Sequence, residues 1–457
     1  MSIKKQLLAL AVSACVTIPA IAQERLVDVY MRAVANDPAI REAEATYLAG
    51  AEVKPQARAA LMPGLNLRST LNSRFQDTRG GALDPEGRPI GTRSIFDQDG
   101  DGWSIALTQT VFDWGLYATL RQADKRVARA ETDFEAAKQQ LFIRVATSYF
   151  GVLAAEDVLA SAVAARESVS RQLEQAQRRF EVGLIAITDV QQSQAGYDDA
   201  FAAEIEAQRQ LATAHEALRE IVGDLVADLA TPTDDLPLVS PDPANAEEWV
   251  AMALRQNLAL NSSRLAADVA SDDIAIQRSN RLPSVSLSAT YSEDSNDRTQ
   301  TVFRPDPVTS TITQLPDGRS WSLDLTFPLF TGGLNRSRIQ QSVYTHRAAT
   351  EALERTVRQT ERQTRDAYLG VISEISRVRA LRQAVESNRT ALRATEAGFE
   401  VGTQTTVDVL QSQDNLRAAE TAYSRSRYDY ILNVLRLKQA AGSLALPDLQ
   451  QVDSWLQ

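Results

Sequence analysis

The chain contains nearly the same phrase twice. Residues 180–194 read FEVGLIAITDVQQSQ, and residues 399–413 read FEVGTQTTVDVLQSQ. Nine of the fifteen aligned positions are identical, whereas average residue usage gives a chance of about one match in sixteen at each position. The chain is therefore an internal duplication, and any fold assigned to it has to contain two related halves.

The N-terminus has the pattern of a signal peptide. Lys4 and Lys5 precede an apolar run, and the segment Ala20–Ala22 offers the small residues that a signal peptidase needs, so we predict removal of residues 1–22. The alternative is a lipobox ending at Cys15, but the apolar run before that residue is short. Cleavage after Ala22 would leave an exported chain with neither a thiol nor a disulfide, since Cys15 is the only cysteine.

Composition and motifs argue against several classes of function. The net charge of -11 disfavours a nucleic-acid partner, because phosphate backbones attract basic surfaces. The sequence contains no phosphate-binding loop, dinucleotide fingerprint or zinc spacing, and we predict neither an enzyme nor a cofactor. Asp97, Asp99 and Asp101 begin a calcium-loop pattern, but its twelfth position is Thr108 instead of glutamate. They are a weak metal candidate, and a solvated hairpin loop is the favoured interpretation.

Four segments alternate apolar and polar residues as β-strands do. After residue 22, no segment reaches 18 apolar residues without a charge, so an ordinary membrane helix is not expected. Each strand would have about nine to eleven residues, enough to cross a bilayer with a tilt. A half-buried soluble hairpin would alternate in the same way, but the export signal favours membrane strands. Residues 76–102 and 292–320 are predicted as long loops. The alternating apolar positions include Leu65, Leu67, Leu71 and Phe75; Trp103, Ile105, Leu107 and Val111; Val285, Leu287, Ala289 and Tyr291; and Trp321, Leu323, Leu325 and Phe327.

The remaining segments favour helices, several of them very long. Helices over 115–180 and 334–399 would each extend about 100 Å at 1.5 Å per residue. Shorter helices are predicted over 25–60, 188–227, 249–281 and 404–441. A seven-residue repeat typical of a coiled coil runs through the second long helix. Its members are Val343, Thr350, Val357, Thr364, Val371, Val378, Val385, Leu392 and Phe399.

The duplicated phrase falls where each long helix should end. Gly183 and Gly402 suit the left-handed position that terminates a helix, and Thr188 with Gln191 has the spacing of a capping box for the next one. A turn requires the glycine, but it does not require the same residues on both sides. The extra identity therefore indicates a function for the turns.

With these features the chain resembles the TolC family of outer-membrane efflux and secretion channels. The resemblance rests on RRFEVGLIAITDVQ, the second VGT…VDVL, the N-terminal VYMRAVANDPAIREA and the paired strand-opening segments. It implies a mainly α fold with membrane β-strands: a homotrimer in which each protomer adds four strands to one twelve-stranded outer-membrane barrel, continuous with a long periplasmic helical barrel. A sheet of four strands has two open edges, and lipid does not tolerate unpaired strand edges. Pairing between copies in a closed barrel would satisfy both edges. The domain prediction is a first repeat over 23–228, an equatorial mid-barrel linker over 229–247, a second repeat over 248–442 and a tail over 443–457.

The resemblance also implies a function and its residues. The chain would be a passive exit duct for efflux pumps or type I secretion, embedded in outer-membrane lipid and docked to a periplasmic adaptor and an inner-membrane transporter. The alternative is a periplasmic coiled-coil scaffold without a pore. Adaptor docking is assigned to Val182, Gly183, Leu184, Val401, Gly402 and Thr403. The periplasmic gate is assigned to Thr188, Asp189, Phe399, Gln404, Asp408 and Gln411.

The predicted gate departs from the family pattern at three positions. By this resemblance, the family has a tyrosine at the position of Phe399, an arginine at the position of Gln404 and often a second acidic residue at the position of Gln411. Phe399 has no hydroxyl and Gln404 has no charge, so we expect a less firmly locked tip. Asp408 is expected to form a single ring of carboxylates around the trimer axis, although an aspartate here also favours the positive end of a helix dipole.

Overall fold

A computed structural model describes residues 23–83, 86–226, 228–233, 236–304 and 306–456. The predicted signal peptide, with Cys15, lies outside these residues. The chain divides into two compact units. The first holds the residues up to Ala45, Asp133–Leu260 and the residues from Thr356 onward, and the second holds Thr46–Thr132 and Asn261–Arg355.

The helices begin and end close to the predicted residues. The two long ones are confirmed, and two predicted helices are interrupted. The first breaks near Asp37, whose carboxylate accepts the N–H of Ala39 (3.2 Å), and the other breaks at Asn257, whose side chain accepts the N–H of Leu260 (3.0 Å). The helices are α1 (Leu26–Asn36), α2 (Pro38–Ala51), α3 (Val53–Ala59), α4 (Trp114–Glu181), α5 (Ile187–Val222), α6 (Ala246–Gln256), α7 (Leu258–Ser279), α8 (Leu334–Glu400), α9 (Thr406–Ala441) and α10 (Leu446–Asp453).

The first unit has a large apolar core. Tyr149 and Phe150 of α4 pack there with Ile431 and Leu435 of α9, all nearly or fully buried. The hydroxyl of Tyr149 donates to the carbonyl of Ala230 at 2.7 Å, so the buried polar atom is satisfied. This core explains why helices of such length are stable, because most helical stability in proteins comes from burying one face.

The seven-residue repeat of α8 is buried in its central part. Thr364, Val371, Val378 and Val385 lie in the interior, whereas Thr350 is exposed. The hydroxyl of Thr364 donates to the carbonyl of Thr360 (2.8 Å), which lets a polar residue occupy a buried position of the repeat. The predicted packing of α8 is therefore confirmed between positions 364 and 385.

Helix α4 is, by length and composition alone, long and apolar enough in one stretch to cross a membrane. It is the one such helix among the described residues. Several of its apolar side chains, including Tyr149, Phe150 and Leu153, belong to the buried core of the first unit. A core helix passes the same test of length and composition.

The second unit contains an antiparallel sheet with strands longer than predicted. The strands are β1 (Gly64–Leu83), β2 (Pro89–Phe112), β3 (Ser284–Arg304), β4 (Asp306–Gln314) and β5 (Asp317–Thr326). β1 pairs with β2 and β2 with β3, while β4 and β5 both pair with β3 and act as one interrupted fourth strand. Four strands are therefore confirmed.

The predicted loops over 76–102 and 292–320 are wrong, because most of their residues are paired in strands. Asp97, Asp99 and Asp101 lie in β2, where each faces a residue of β1 across the ladder. A regular strand cannot wrap its side chains around a calcium ion as a twelve-residue loop does. Within the described ranges, no group of three or more His, Cys, Asp or Glu side chains is arranged to hold a metal ion.

One face of the sheet carries the predicted apolar side chains. Leu65, Leu107, Ala289 and Trp321 form a cross-strand row, since each is paired with the next. Leu65 is 69% exposed and Trp321 is 78% exposed, whereas Leu107 and Ala289 between them are half-buried, so the described residues leave both ends of the row uncovered. Exposed contiguous apolar surface indicates a membrane or protein contact.

Candidate functional site

The first copy of the duplicated phrase forms a tight turn after α4. Gly183 has a φ of +76°, in the left-handed region that favours glycine. The N–H of Leu184 donates to the carbonyl of Arg179 (2.9 Å), and the N–H of Gly183 donates to that of Phe180 (2.8 Å). This pair of bonds is the Schellman motif that ends a helix.

The second copy forms the same turn after α8. Gly402 has a φ of +81°, the N–H of Thr403 donates to the carbonyl of Gly398 (2.8 Å), and the N–H of Gly402 donates to that of Phe399 (3.2 Å). The structure therefore confirms that Gly183 and Gly402 terminate the two long helices with one geometry.

Both turns present apolar side chains outward. Val182 and Leu184 are each 70% exposed, and Val401 is 75% exposed. A Cβ added at Gly183 or Gly402 would meet nothing within 4 Å, so the backbone of each turn is open to an approaching partner. An isolated turn gains nothing from exposing valine and leucine, because their burial against a partner would be favourable.

Asp408 caps the helix that follows the second turn. Its carboxylate accepts the Thr405 N–H (2.8 Å) and the Thr405 hydroxyl (2.7 Å), while the Thr405 Oγ1 accepts the N–H of Asp408 (3.3 Å). These two bonds from Thr405 to the charged carboxylate lower the pKa of Asp408 below its ordinary value. Sequence reasoning missed Thr405 as the cap, although its spacing to Asp408 is that of a capping box.

The first turn is capped in a related way. The carboxylate of Asp189 accepts the N–H of Ala186 (3.3 Å), and Ala186 is the residue that precedes α5. Thr188 already lies within α5, so the predicted capping box of Thr188 with Gln191 is wrong. Asp189 and Asp408 hold the same third position of their helices.

The gate residues are only partly brought together. Within the described tip region, residues 178–193 and 396–415, no hydrogen bond joins Thr188 or Asp189 to Phe399 or Gln404. The Gln404 side chain lies against its own hairpin, since a Cβ on Gly398 would stand 2.7 Å from the Gln404 Cγ. Gln411 is also engaged locally, with its Nε2 donating to Asn415 Oδ1 (3.2 Å).

Phe399 contacts the first repeat through a residue that sequence reasoning missed. The Arg179 guanidinium carbon lies 5.1 Å from the centre of the Phe399 ring, within the range of a cation–π interaction. The contact could not be predicted from the sequence, because Arg179 and Phe399 are 220 positions apart and only the folded helices bring them together.

Comparison with known proteins identifies the family. Two segments, residues 29–224 and 249–443, match the family described as outer membrane efflux protein. The chain is 35% identical over 454 residues to the outer membrane protein TolC of Vibrio cholerae, covering 99% of each chain. The chain belongs to the TolC family.

Two further relatives agree with this assignment. The alkaline protease secretion protein AprF of Pseudomonas aeruginosa is 29% identical over 433 residues, covering 93% of this chain and 86% of that protein. The crystal structure of the outer membrane protein VceC of Vibrio cholerae has the same fold, with a TM-score of 0.72 at 18% identity over 91% of this chain and 96% of that chain.

TolC-family membership fixes the broad function. The TolC-like fold combines long helices with four antiparallel strands per chain in two repeats, and TolC-like channels form trimers. Members of the family are non-enzymatic outer-membrane channels with a periplasmic extension, and they serve efflux and type I secretion. This chain is such a channel, so the alternative of a scaffold without a pore is not supported.

Proposed function

We propose that three copies of this chain form a passive exit duct. The paired turns dock a periplasmic adaptor and act as the gate of the duct. The adaptor would in turn connect the duct to an inner-membrane transporter. The observation that carries this proposal is the pair of matched glycine turns, each with an open backbone and exposed apolar side chains. An unaccompanied channel would have no use for such a pair.

The sheet supports the membrane part of the proposal. Its apolar rows, such as Leu67 with Ile105 and Tyr291, would face lipid, while serine, threonine and asparagine on the other face would line the duct. Trp103 lies inside β2 and Trp321 inside β5, and aromatic side chains of this kind form the belts of outer-membrane barrels at the membrane interface. A polar lining suits a passive duct, in which the transporter selects the cargo.

The turns support docking because glycine leaves room for a second backbone. A partner hairpin could approach Gly183 and Gly402 closely, since no Cβ stands in its way. It could then bury Val182, Leu184 and Val401, which are exposed in the single chain. Each fully buried side chain of this size stabilises a contact by about 1.5–3 kcal/mol.

The test is to add a side chain at each turn without breaking the turn. Asparagine tolerates the left-handed conformation better than other residues with a Cβ, and there is open space at both positions. We expect Gly183→Asn and Gly402→Asn to lower drug efflux in cells that depend on this channel, while trimers still assemble and insert. Gly151→Ala is the matched control, because Gly151 also has open space but lies inside α4.

The outcomes separate docking from a purely structural role. Normal efflux by both asparagine variants would show that the glycines only terminate helices. Loss of the trimer on denaturing gels would also count against docking, because it would place the turns in assembly. Purified wild-type trimer should give discrete conductance steps in a planar bilayer, which checks the duct independently of any adaptor.

A further inference from the structure

Arg179 and Phe399 connect the two turns of one chain. Arg179 lies in the last turn of α4 and Phe399 in the last turn of α8, and the guanidinium lies over the ring. We infer that this cation–π contact, the turn clasp, holds the tip closed. The inference rests on the proposed function of the paired turns as a gate.

The clasp residues belong to the turns themselves. The carbonyl of Arg179 accepts the N–H of Leu184, and the carbonyl of Phe399 accepts the N–H of Gly402. Each clasp residue is therefore fixed by the hydrogen bonds that define its own Schellman motif. A movement that separates the two turns has to pull the guanidinium off the ring.

The surroundings of Phe399 leave few other means of holding it. The ring borders a cavity of about 290 Å³ that is also lined by Gln172 and Val409. Gln172 is buried, and its amide has no hydrogen-bond partner, so this part of the interior is loosely and imperfectly packed. Among the described residues, Arg179 is the one cation or aromatic side chain recorded in contact with the Phe399 ring.

The clasp is chemically different from a lock made of hydrogen bonds or ion pairs. Phe399 has no hydroxyl to donate, and within the described tip region no hydrogen bond joins Gln404 to the first repeat, since its Cγ lies close to Gly398 of its own hairpin. A ring attracts a guanidinium through its quadrupole without carrying a net charge. Arg179 and Phe399 are both half-buried, so salt weakens their contact less than it would weaken an exposed ion pair.

The position of the clasp couples docking to opening. A partner seated on Val182–Leu184 contacts the segment whose N–H groups bond to Arg179 and Phe180. Displacement of that segment would shift Arg179, so docking on one face of the turn would weaken the contact on the other. Docking of the partner would then open the tip directly, because both act on the same turn.

The experiment removes each partner and measures the resting conductance of wild-type and variant trimers in planar bilayers. Arg179→Gln removes the charge and Phe399→Leu removes the ring. Each should raise the ratio of open to closed tips about two- to fivefold for every clasp broken, which follows from the lower end of the strength of a cation–π contact. The double variant should conduct no more than either single one, and Arg179→Lys should restore part of the closure.

Matched controls are available in the last turn of α4. Arg178→Gln removes the exposed neighbouring charge, and Phe180→Leu removes an exposed ring of the first turn; both should keep the wild-type conductance. Raising the salt concentration should leave the wild-type tip closed, whereas a lock made of exposed ion pairs would open.

The results that would overturn the clasp are distinct from failure of the proposed function. Wild-type conductance from both Arg179→Gln and Phe399→Leu would refute it, as would equal effects of Arg179→Gln and Arg178→Gln. Independent, multiplying effects in the double variant would also refute it, because two partners of one contact cannot act separately. Wild-type trimers without any conductance steps would instead overturn the duct, and the clasp with it.

Discussion

At the scale of single residues, Asp408 combines an observed structural role with a proposed functional one. It caps α9 through Thr405, and it is exposed at the second turn. Because its folded pKa is lowered, its charged form is favoured, and the stabilisation is present above the ordinary carboxyl pKa of 3.8. That stabilisation is lost only as the pH falls through the lowered folded value.

The proposed ring of three Asp408 carboxylates predicts block by trivalent cations from the periplasmic side. Asp408→Asn keeps the shape and one cap acceptor but removes the charge, so we expect single-channel recordings to show that the block is largely lost. Asp189→Asn, the matching position of the first repeat, should keep it. Undiminished block in Asp408→Asn would show that Asp408 acts only as a helix cap.

The residue scale also shows what a sequence can and cannot predict about the tip. Gly183 and Gly402 were predictable as the ends of the two long helices, because turns and caps depend on neighbours in sequence. Thr405 was predictable in principle from its spacing to Asp408. Arg179 was not, since nothing local to an arginine in a long polar helix indicates which distant ring it will contact.

At the scale of elements, the long helices were predictable because a periodic pattern of apolar residues repeats over many turns. The strands were predicted too short. Their inner portions alternate, but residues 89–101 are rich in glycine and aspartate, which strands usually disfavour. Pairing with β1 and β3 on both sides overrides that preference, and pairing between distant segments leaves no periodic signal in the sequence.

The buried repeat of α8 makes a prediction about the stability of that element. Val378→Ala removes two buried methyl groups and leaves a cavity, which should cost about 2 kcal/mol. Thr350→Ala changes an exposed member of the same repeat and should cost less than about 0.5 kcal/mol. Thermal unfolding followed by circular dichroism should therefore show a lower midpoint for the first variant only. Equal midpoints would mean that the repeat of α8 is not packed as described.

At the scale of the whole molecule, the sheet has two free edges in the described part of the chain. One is the outer edge of β1, and the other is the outer edge of the strand made of β4 and β5. Lipid does not tolerate unpaired backbone groups, so each edge has to pair with another copy. Because the two edges differ, one copy's β1 meets the next copy's β5, and such head-to-tail pairing closes only as a ring.

Ring closure at three copies can be tested by cross-linking. The only cysteine, Cys15, lies in the predicted signal peptide, so cysteines introduced on the two edges would have no competitor in the mature chain. We would combine Leu323→Cys on β5 with one cysteine on β1, in place of Leu65, Leu67 or Leu71. The three double variants test three possible alignments of β1 in one copy with β5 in the next. On oxidation, the matching pair should give cross-linked dimers and trimers and nothing larger, whereas single-cysteine variants should stay monomeric on denaturing gels. A ladder that continues beyond three would indicate an open chain of copies, and one that stops at two would indicate eight strands, a barrel too narrow for export.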